Sequence, residues 1–249
     1  MIIKHPEASD LPQLRSLWQE AFADTDAYLD AFFETAFAPT RCLTLWKQGR
    51  LAAALYWLRC RCREQPCAYL YAVATAKEFR GQGLCHALME HTHALLRSQG
   101  YAMAVLVPGD SSLFALYASM GYACFGGMDE SLHSAAAAAT ELRQISAEEY
   151  ARLRRRLLPE GGIVQEAETL ALLQTQARFY AGENALVCAQ RQQDTLFVPE
   201  LLGSADPGSI VQALQCRGGT FRRSGSSPFA MWLGLQAVAP PEYFSFALD

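Results

Sequence analysis

The sequence contains no apolar run of the ~18 to 20 residues that would span a bilayer. Its first ten residues are charged and include no signal-peptide core. It also lacks the cluster of basic residues on which nucleic-acid binding normally depends, because acidic and basic residues are mixed along the chain and the formal net charge is −4. These absences argue against a membrane or a nucleic acid as a partner, and we expect a cytoplasmic protein.

Disulfides and metal sites are poorly supported as well, although the chain has 8 cysteines. Most of these cysteines lie inside apolar runs, which favours reduced, buried thiols. Cys60, Cys62 and Cys67 come nearest to a metal-binding motif. Their spacing lacks the paired Cys-x-x-Cys units and the nearby histidines of common zinc sites, so we expect no bound metal.

What the sequence does contain is enough apolar material for two domains, since 51% of its 249 residues are hydrophobic. Hydrophobic periodicity predicts the order β-α-α-β-β-β-α-β-α-β up to residue 125. The stretch 134–140 includes five consecutive alanines and no large apolar residue, and we interpret it as a linker. We therefore predict α/β domains at residues 1–133 and 141–249.

Beyond the linker the predicted elements are less regular. A strand precedes a helix that Ser146 and Glu149 begin with a capping box, and a further helix runs over 168–180. A hairpin and a helix follow, and the apolar runs 229–235 and 243–248 are predicted as late strands.

One segment has the pattern of a binding site for an anion, because a strand is followed by a glycine-rich turn and then by a helix. A helix N-terminus has unsatisfied N–H groups and the positive end of the helix dipole, and glycines let a phosphate approach the backbone. A pyrophosphate suits this geometry, although Gly-x-Gly alone is also common in tight turns. The residues concerned are Val73, Ala74 and Thr75 on the strand and Arg80, Gly81, Gln82, Gly83, Leu84 and Cys85 in the turn and first helical positions.

Two other phosphate-binding motifs have similar glycine patterns, and the sequence matches neither. The Rossmann fingerprint requires a third glycine at the position of His86, within a parallel βαβ unit. A Walker A loop requires Gly-Lys-Ser/Thr, whereas Gly83 is followed by Leu84 and Cys85.

The segment resembles the pyrophosphate motif of the GNAT N-acetyltransferase family, Arg/Gln-x-x-Gly-x-Gly/Ala. Arg80 and Gly83 are in register, and Cys85 replaces the final Gly or Ala. The stretch 113–122 resembles a second signature of the family, a Tyr four residues before a Gly-aromatic pair, and Tyr117 occupies the tyrosine position. Two motifs in the expected order make the resemblance specific.

The resemblance covers about residues 2–126 and implies a GNAT fold, in which helices flank a mixed, mostly antiparallel sheet. It implies that the strand edge 73–75 holds the pantetheine arm of acetyl-CoA and that the turn 80–85 holds its pyrophosphate. It further implies that Tyr117 protonates the departing CoA thiolate, since a phenol with a pKa near ~10 keeps its proton at neutral pH. Without the resemblance, Tyr117 would be interpreted as a core tyrosine.

The general base is harder to identify from the sequence. In the family, two helices border the acceptor cleft, and here they carry Glu20, Asp26, Asp30 and Glu34. We take Glu34 as the candidate base, against the alternative that these carboxylates form a solvated helical face.

The histidines are not expected to form a metal site. At about 100° per residue, His91 falls on the apolar stripe of its helix, while His86 and His93 point to the opposite face, two turns apart. We also expect the arginine run 152–156 to lie on the exposed side of its helix.

The second half has the strand-to-helix rhythm of a GNAT lobe but lacks the phosphate motif, and Asp206 stands where it would repel an anion. We predict a smaller, degenerate GNAT-like α/β lobe, as in tandem GNAT proteins, including the Eis-like acetyltransferases. In that group a C-terminal carboxylate serves as the base, which makes Asp249 a second candidate.

The predicted function is transfer of acetyl from acetyl-CoA, as cosubstrate, to a primary amine of a small molecule or peptide by direct attack. No nucleic acid or membrane is expected as a partner, and a homodimer is left open. The alternative is a CoA-binding pseudoenzyme or regulatory module without turnover, and acyl donors longer than acetyl are a further variant.

Overall fold

A computed structural model describes residues 1–165 and 167–248. The chain forms two compact units. The first comprises Met1–Ala123, Gln165–Leu172 and Met231–Ala239, and the second comprises Cys124–Val164, Leu173–Ala230 and Pro240–Asp249. The division into functional domains at 1–133, 134–140 and 141–249 stays a prediction.

Strands and helices alternate along the chain, as predicted. The strands are β1 (Ile2–Lys4), β2 (Cys42–Lys47), β3 (Arg50–Cys62), β4 (Gln65–Thr75), β5 (Met103–Leu106), β6 (Ala123–Phe125), β7 (Met128–Ser134), β8 (Arg143–Ile145), β9 (Val164–Gln165), β10 (Arg178–Gly182), β11 (Ala185–Gln192), β12 (Thr195–Gly203), β13 (Gly218–Ser224) and β14 (Ala230–Gly234). The helices are α1 (Leu11–Phe22), α2 (Asp26–Thr35), α3 (Leu84–Ser98), α4 (Leu113–Ser119), α5 (Ala147–Leu157), α6 (Ala167–Gln176) and α7 (Pro207–Ala213).

The first sheet has the strand order β1-β2-β3-β4-β5-β14-β6. Strands β1 to β4 pair antiparallel, whereas β4 and β5 are parallel. The element order predicted up to residue 125 is confirmed. The predicted fold class, a mixed sheet flanked by helices, is also confirmed.

Strand β14 comes from late in the chain but belongs to the first sheet. It pairs antiparallel with β5, so that Met231 lies opposite Leu106 and Gly234 opposite Met103. The sequence predicted a strand here but not its partner, because an apolar run of this kind carries no information on which edge it will cover.

Helices α1 and α2 have clear local signals at their ends. Pro12 lies in the first turn of α1, where its missing N–H costs no hydrogen bond, and Ala23 ends the helix in a left-handed conformation. The Thr25 hydroxyl caps α2 by accepting a hydrogen bond from the N–H of Tyr28. Trp18 is buried on α1 and Phe32 is buried on α2.

The second sheet has the strand order β7-β13-β12-β11-β10-β8, and β12 and β13 are its parallel pair. Ser146 caps α5 by accepting from the N–H of Glu149, as predicted. Two predictions were wrong in extent or type. The helix over 168–180 ends at Gln176, after which β10 begins, and the run 243–248 forms no strand beyond an isolated bridge between Tyr243 and Gly162.

A buried ion pair joins α5 to β12 in the second unit and corrects the prediction for the arginine run. Arg154 is 2% exposed, and its Nε and NH2 groups donate to the carboxylate of Glu200 at 2.7 and 3.0 Å. The Tyr150 hydroxyl also donates to Glu200, at 2.6 Å. Such a charge stays buried because its partners satisfy it, whereas Arg152, Arg155 and Arg156 are exposed as predicted.

No helix in the described parts of the chain is long and apolar enough to cross a membrane.

Candidate functional site

The first unit contains two parallel strands, β4 and β5, that are paired over only part of the length of β4. Strand β4 pairs with β5 from Cys67 to Tyr69, opposite Met103 to Val105. Within the described residues this pairing stops there, although β4 continues to Thr75. The end of β4 therefore has backbone groups on its β5 side that no neighbouring strand satisfies. A ligand with amide groups can take up these positions.

A β-bulge lies in this free part of β4. Ala54 pairs with Ala74 and Tyr56 pairs with Tyr71, so two residues of β4, Ala72 and Val73, lie opposite one residue of β3. Ala72 has φ +48°, a left-handed conformation that is uncommon for alanine. A bulge re-aims the peptide group beside it, and bulges are frequent next to active sites.

Beyond Thr75 the chain makes the glycine-rich turn that the sequence predicted. Gly81 and Gly83 have φ +72° and +73°, and a Cβ added at either position would meet no atom within 4 Å. Gly83 is the N-cap of α3, and helix geometry leaves the N–H groups of Leu84 and Cys85 without intrahelical acceptors. The turn is therefore open, and its backbone offers hydrogen-bond donors at the positive end of a helix dipole.

Two cations near the turn have neutral partners. The Arg80 Nε group donates to the carbonyl oxygen of Thr75 at 3.0 Å, and the Lys47 ammonium donates to the side-chain oxygen of Gln82. Neither Arg80 nor Lys47 forms an ion pair with a carboxylate among the described residues. The carboxylate of the turn, Glu78, is instead bound by both NH groups of Arg50. The turn thus retains net positive charge, which favours an anionic ligand.

Tyr117 lies in α4 and is 6% exposed. Its hydroxyl makes no hydrogen bond with any residue in the described ranges, and its oxygen is not fully enclosed. Burial raises the pKa of Tyr117 above its ordinary value, and the nearby Cys85 thiol adds to the rise. The structure thus brings Tyr117 close to the start of α3, as a protonated phenol free to donate.

Cys85 is half-buried in the first turn of α3, and burial raises its pKa. The group is therefore a thiol at neutral pH, which argues against a role as a nucleophile. The side chain is small, as the replacement of Gly or Ala in the motif requires.

An aromatic cluster lies against the same strand on the side of α1 and α2. The ring of Trp18 is 5.1 Å from that of Tyr56 and 5.5 Å from that of Tyr71. The hydroxyls of Tyr28 and Tyr71 are hydrogen-bonded at 2.6 Å, directly before the bulge. The Tyr56 hydroxyl is buried without a hydrogen-bond partner in the described residues. Sequence reasoning missed all three tyrosines, although Tyr71 precedes the strand residues that it singled out.

The predicted carboxylates lie on exposed faces of α1 and α2. Asp30 pairs with Arg15 at 2.7 Å, and Glu20 accepts a hydrogen bond from the N–H of Lys77, also at 2.7 Å. Glu34 is exposed and has no ion pair or hydrogen bond with the described residues. The role of Glu34 as base stays a prediction, and Asp249 lies outside the described residues.

The orientation predicted for the histidines of α3 was wrong. His91 is exposed, whereas His93 is 6% exposed and its Nε2 lies 2.8 Å from the hydroxyl of Tyr122. The buried stripe of α3 includes Met89 and Thr92, so it is rotated from the one that leucines and alanines alone indicate. Burial, together with the charge of the nearby Arg97, lowers the pKa of His93 to about 4.

The cysteines are free thiols in the structure. Six of them are buried, as predicted, while Cys85 is half-buried and Cys124 is exposed. Within residues 1–165 and 167–248, no three His, Cys, Asp or Glu side chains come together in a group that could hold a metal ion.

The sequence and the fold were compared with known proteins. A family model described as an acetyltransferase (GNAT) domain matches residues 3–125. A comparison with curated proteins found no significant match.

Among solved structures, a GCN5-related N-acetyltransferase from Anabaena variabilis has a TM-score of 0.77 at 15% identity, over 94% of this chain and 73% of that one. A GCN5-related N-acetyltransferase from Kribbella flavida has a TM-score of 0.73 at 18% identity, over 95% of this chain and 72% of that one. A tandem GNAT protein from the clavulanic acid biosynthesis pathway has a TM-score of 0.59 at 12% identity, over 95% of this chain and 98% of that one. At these identities the likeness shows the fold, and it extends over both units.

Proposed function

The chain belongs to the GNAT acetyltransferase family through its residues 3–125, and we propose that it transfers acetyl from acetyl-CoA to a primary amine of a small molecule or peptide. The observation that carries the proposal is the combination of a parted parallel strand pair with an open glycine turn at the start of α3. The first offers a row of backbone groups to an extended chain with amides. The second offers N–H groups and positive charge to a pyrophosphate.

In this proposal the free edge of β4 at Val73, Ala74 and Thr75 hydrogen-bonds the pantetheine arm. The turn from Arg80 to Cys85 holds the pyrophosphate, with backbone N–H groups as donors. Lys47 and Arg80 each hydrogen-bond a neutral group of this segment, Gln82 and Thr75 respectively. Because these partners do not cancel their charges, both residues add positive charge to the turn. Acetyl-CoA supplies the thioester, which the amine attacks directly.

Tyr117 is the proposed general acid. A leaving thiolate needs a proton, and a buried phenol whose pKa is raised holds its proton at every physiological pH. Its hydroxyl has no competing hydrogen bond with the described residues, so it can turn to the sulfur. The raised pKa of Cys85 supports direct attack, since a thioester intermediate on this residue would need a thiolate.

The acceptor amine must lose a proton before or during attack, and Glu34 is the proposed base. It is an unpaired carboxylate on α2, the helix that also supplies Tyr28 to the aromatic cluster beside β4. The cluster itself favours acceptors with an apolar part, because Trp18, Tyr56 and Tyr71 pack their rings together there.

The test is thermal stabilisation by acetyl-CoA followed by a thiol-release assay over a panel of amines. Stabilisation together with amine-dependent release of CoA supports the proposal. Stabilisation without release from any amine favours the CoA-binding module without turnover, and no stabilisation contradicts both functions. Propionyl- and longer acyl-CoA in the same assay determine the acyl preference.

A further inference from the structure

The His93 imidazole and the Tyr122 hydroxyl form a hydrogen bond inside the first unit. His93 Nε2 and the phenol oxygen are 2.8 Å apart, and the two residues are 6% and 3% exposed. A hydrogen bond between buried groups is costly to break, since neither partner can turn to water instead. The bond therefore holds the Tyr122 ring in one orientation.

The Tyr122 ring in turn borders Tyr117. The ring centroids are 5.9 Å apart and the planes are inclined by 64°, an edge-to-face arrangement. The backbone joins the same two residues, because the N–H of Tyr122 donates to the carbonyl oxygen of Tyr117 at 3.1 Å. Gly121, with φ +91°, makes this close return of the chain feasible. The place of the Tyr117 ring is thus set from one side by Tyr122.

His93 has a second side, which faces a polar pocket. The pocket has a volume of 300 Å³ and is lined by His86, Glu90, Arg97 and Ser119 among others. A histidine at the boundary between this pocket and the core can hold Tyr122 without itself contacting a substrate.

We infer that His93 is a positioning residue for the acetyl transfer: it fixes Tyr122 by hydrogen bonding, and Tyr122 holds the Tyr117 phenol where it can protonate the thiolate. The inference rests on the proposed function for the role of Tyr117. It gives a positioning role to a histidine of α3 that lies outside both the glycine turn and the tyrosine motif.

A double-mutant cycle separates positioning from a merely structural effect. Tyr122→Phe removes the hydroxyl and keeps the ring, and we expect it to lower kcat about tenfold with KM for acetyl-CoA unchanged. In a Tyr117→Phe background the same change should leave kcat where it is, because there is no longer an acid to misplace. An equal loss in both backgrounds would overturn the inference.

A second measurement needs no turnover. With 3-fluorotyrosine at position 117, the ¹⁹F resonance of the ligand-free protein should change in Tyr122→Phe and in His93→Phe, and should stay unchanged in Tyr180→Phe, a change in the second unit. An unaltered resonance in Tyr122→Phe or His93→Phe would show that the hydrogen-bonded pair of His93 and Tyr122 does not hold the Tyr117 ring in place. Altered resonances in a protein that releases no thiol with any amine would count against the proposed function alone.

Discussion

The Asp206 carboxylate accepts a hydrogen bond of 2.8 Å from the backbone N–H of Ser209, so α7 carries a negative charge of its own at its N-terminus. The corresponding position of α3 is Gly83, which places no side chain there. Each helix follows a strand that pairs in parallel with the next one, β12 with β13 and β4 with β5. The two turns nevertheless differ in charge, and of the two it is the turn before α3 that favours an anion.

Gly83→Ala should abolish stabilisation by acetyl-CoA. A Cβ at this position would stand in the open space through which a pyrophosphate approaches in the proposed function, and the left-handed backbone adds strain of about 1 kcal/mol. Gly49→Ala is the matched control, because Gly49 has φ +74° and also faces open space, but in the β2-β3 hairpin. Both variants should lower the melting temperature in a thermal-shift assay, and acetyl-CoA should raise it again only in Gly49→Ala. Equal recovery in both would remove the turn from the binding site.

Tyr117→Phe should lower kcat for thiol release by about 10²-fold or more, the usual contribution of a positioned acid, while KM for acetyl-CoA stays the same. The ring and its packing against Tyr122 are retained in this variant, so stability should change little. Steady-state kinetics with a saturating amine measure the effect, and full activity would exclude Tyr117 as the acid.

Stability should fall as the pH drops from 6.5 to 4 because of His93. Its pKa in the folded protein is about 4, below the ordinary value of 6.5. The unfolded chain therefore binds the proton first, and protonation pulls the equilibrium towards unfolding. The loss amounts to about 3 kcal/mol across this window. It should be absent above pH 7.

Urea unfolding at pH 7, 5.5 and 4.5 measures this dependence. His93→Gln keeps a polar partner for Tyr122 and should flatten the curve over the window. His91→Gln, on the exposed face of the same helix, should leave it as in the wild type. A wild-type curve without this slope would mean that His93 is not held neutral.

Glu200→Leu should destabilise the second unit by about 3 to 5 kcal/mol, because it leaves the Arg154 guanidinium buried without a counter-charge. Arg155→Ala, on the exposed side of the same helix, should change the free energy of unfolding by about 0.5 kcal/mol at most. The double variant Glu200→Leu with Arg154→Leu should recover part of the loss. Additive losses in the double variant would show that the pair contributes no coupling.

The fold of the first 125 residues was predictable because local signals suffice there. Periodic apolar residues, the Thr25 cap and the glycines of the turn each indicate an element from its own sequence. Strands β7 and β13 were missed, since their stability comes from neighbours. In β13, for example, Arg222 is 7% exposed, stacks on Phe197 and Phe229 and pairs with Glu130, an arrangement that no alternation of apolar residues signals.

The candidate site was predictable in its backbone and less so in its side chains. The turn from Arg80 to Cys85 follows from glycine spacing, whereas the Tyr28–Tyr71 hydrogen bond joins residues 43 positions apart and depends on packing. The predicted orientations of His91 and His93 were the reverse of the observed ones. The centre of the helical stripe shifts because a methionine and a threonine are buried beside the leucines. Small rotations of this kind decide which of two nearby side chains reaches the core.

The first sheet cannot be completed until strand β14 has been synthesised, because β14 is a neighbour of β5 in that sheet. During synthesis, β5 emerges with β4 on one side and nothing on the other, and its second neighbour is translated more than a hundred residues later. Until then the nascent first unit presents an unpaired strand edge, which is prone to pair with other chains. The long sequence separation also makes closure of this sheet a slow event. A fragment that stops at residue 133 would keep that edge permanently and should aggregate, because the part of the chain that contains both motifs needs strand β14 to cover the edge of its sheet.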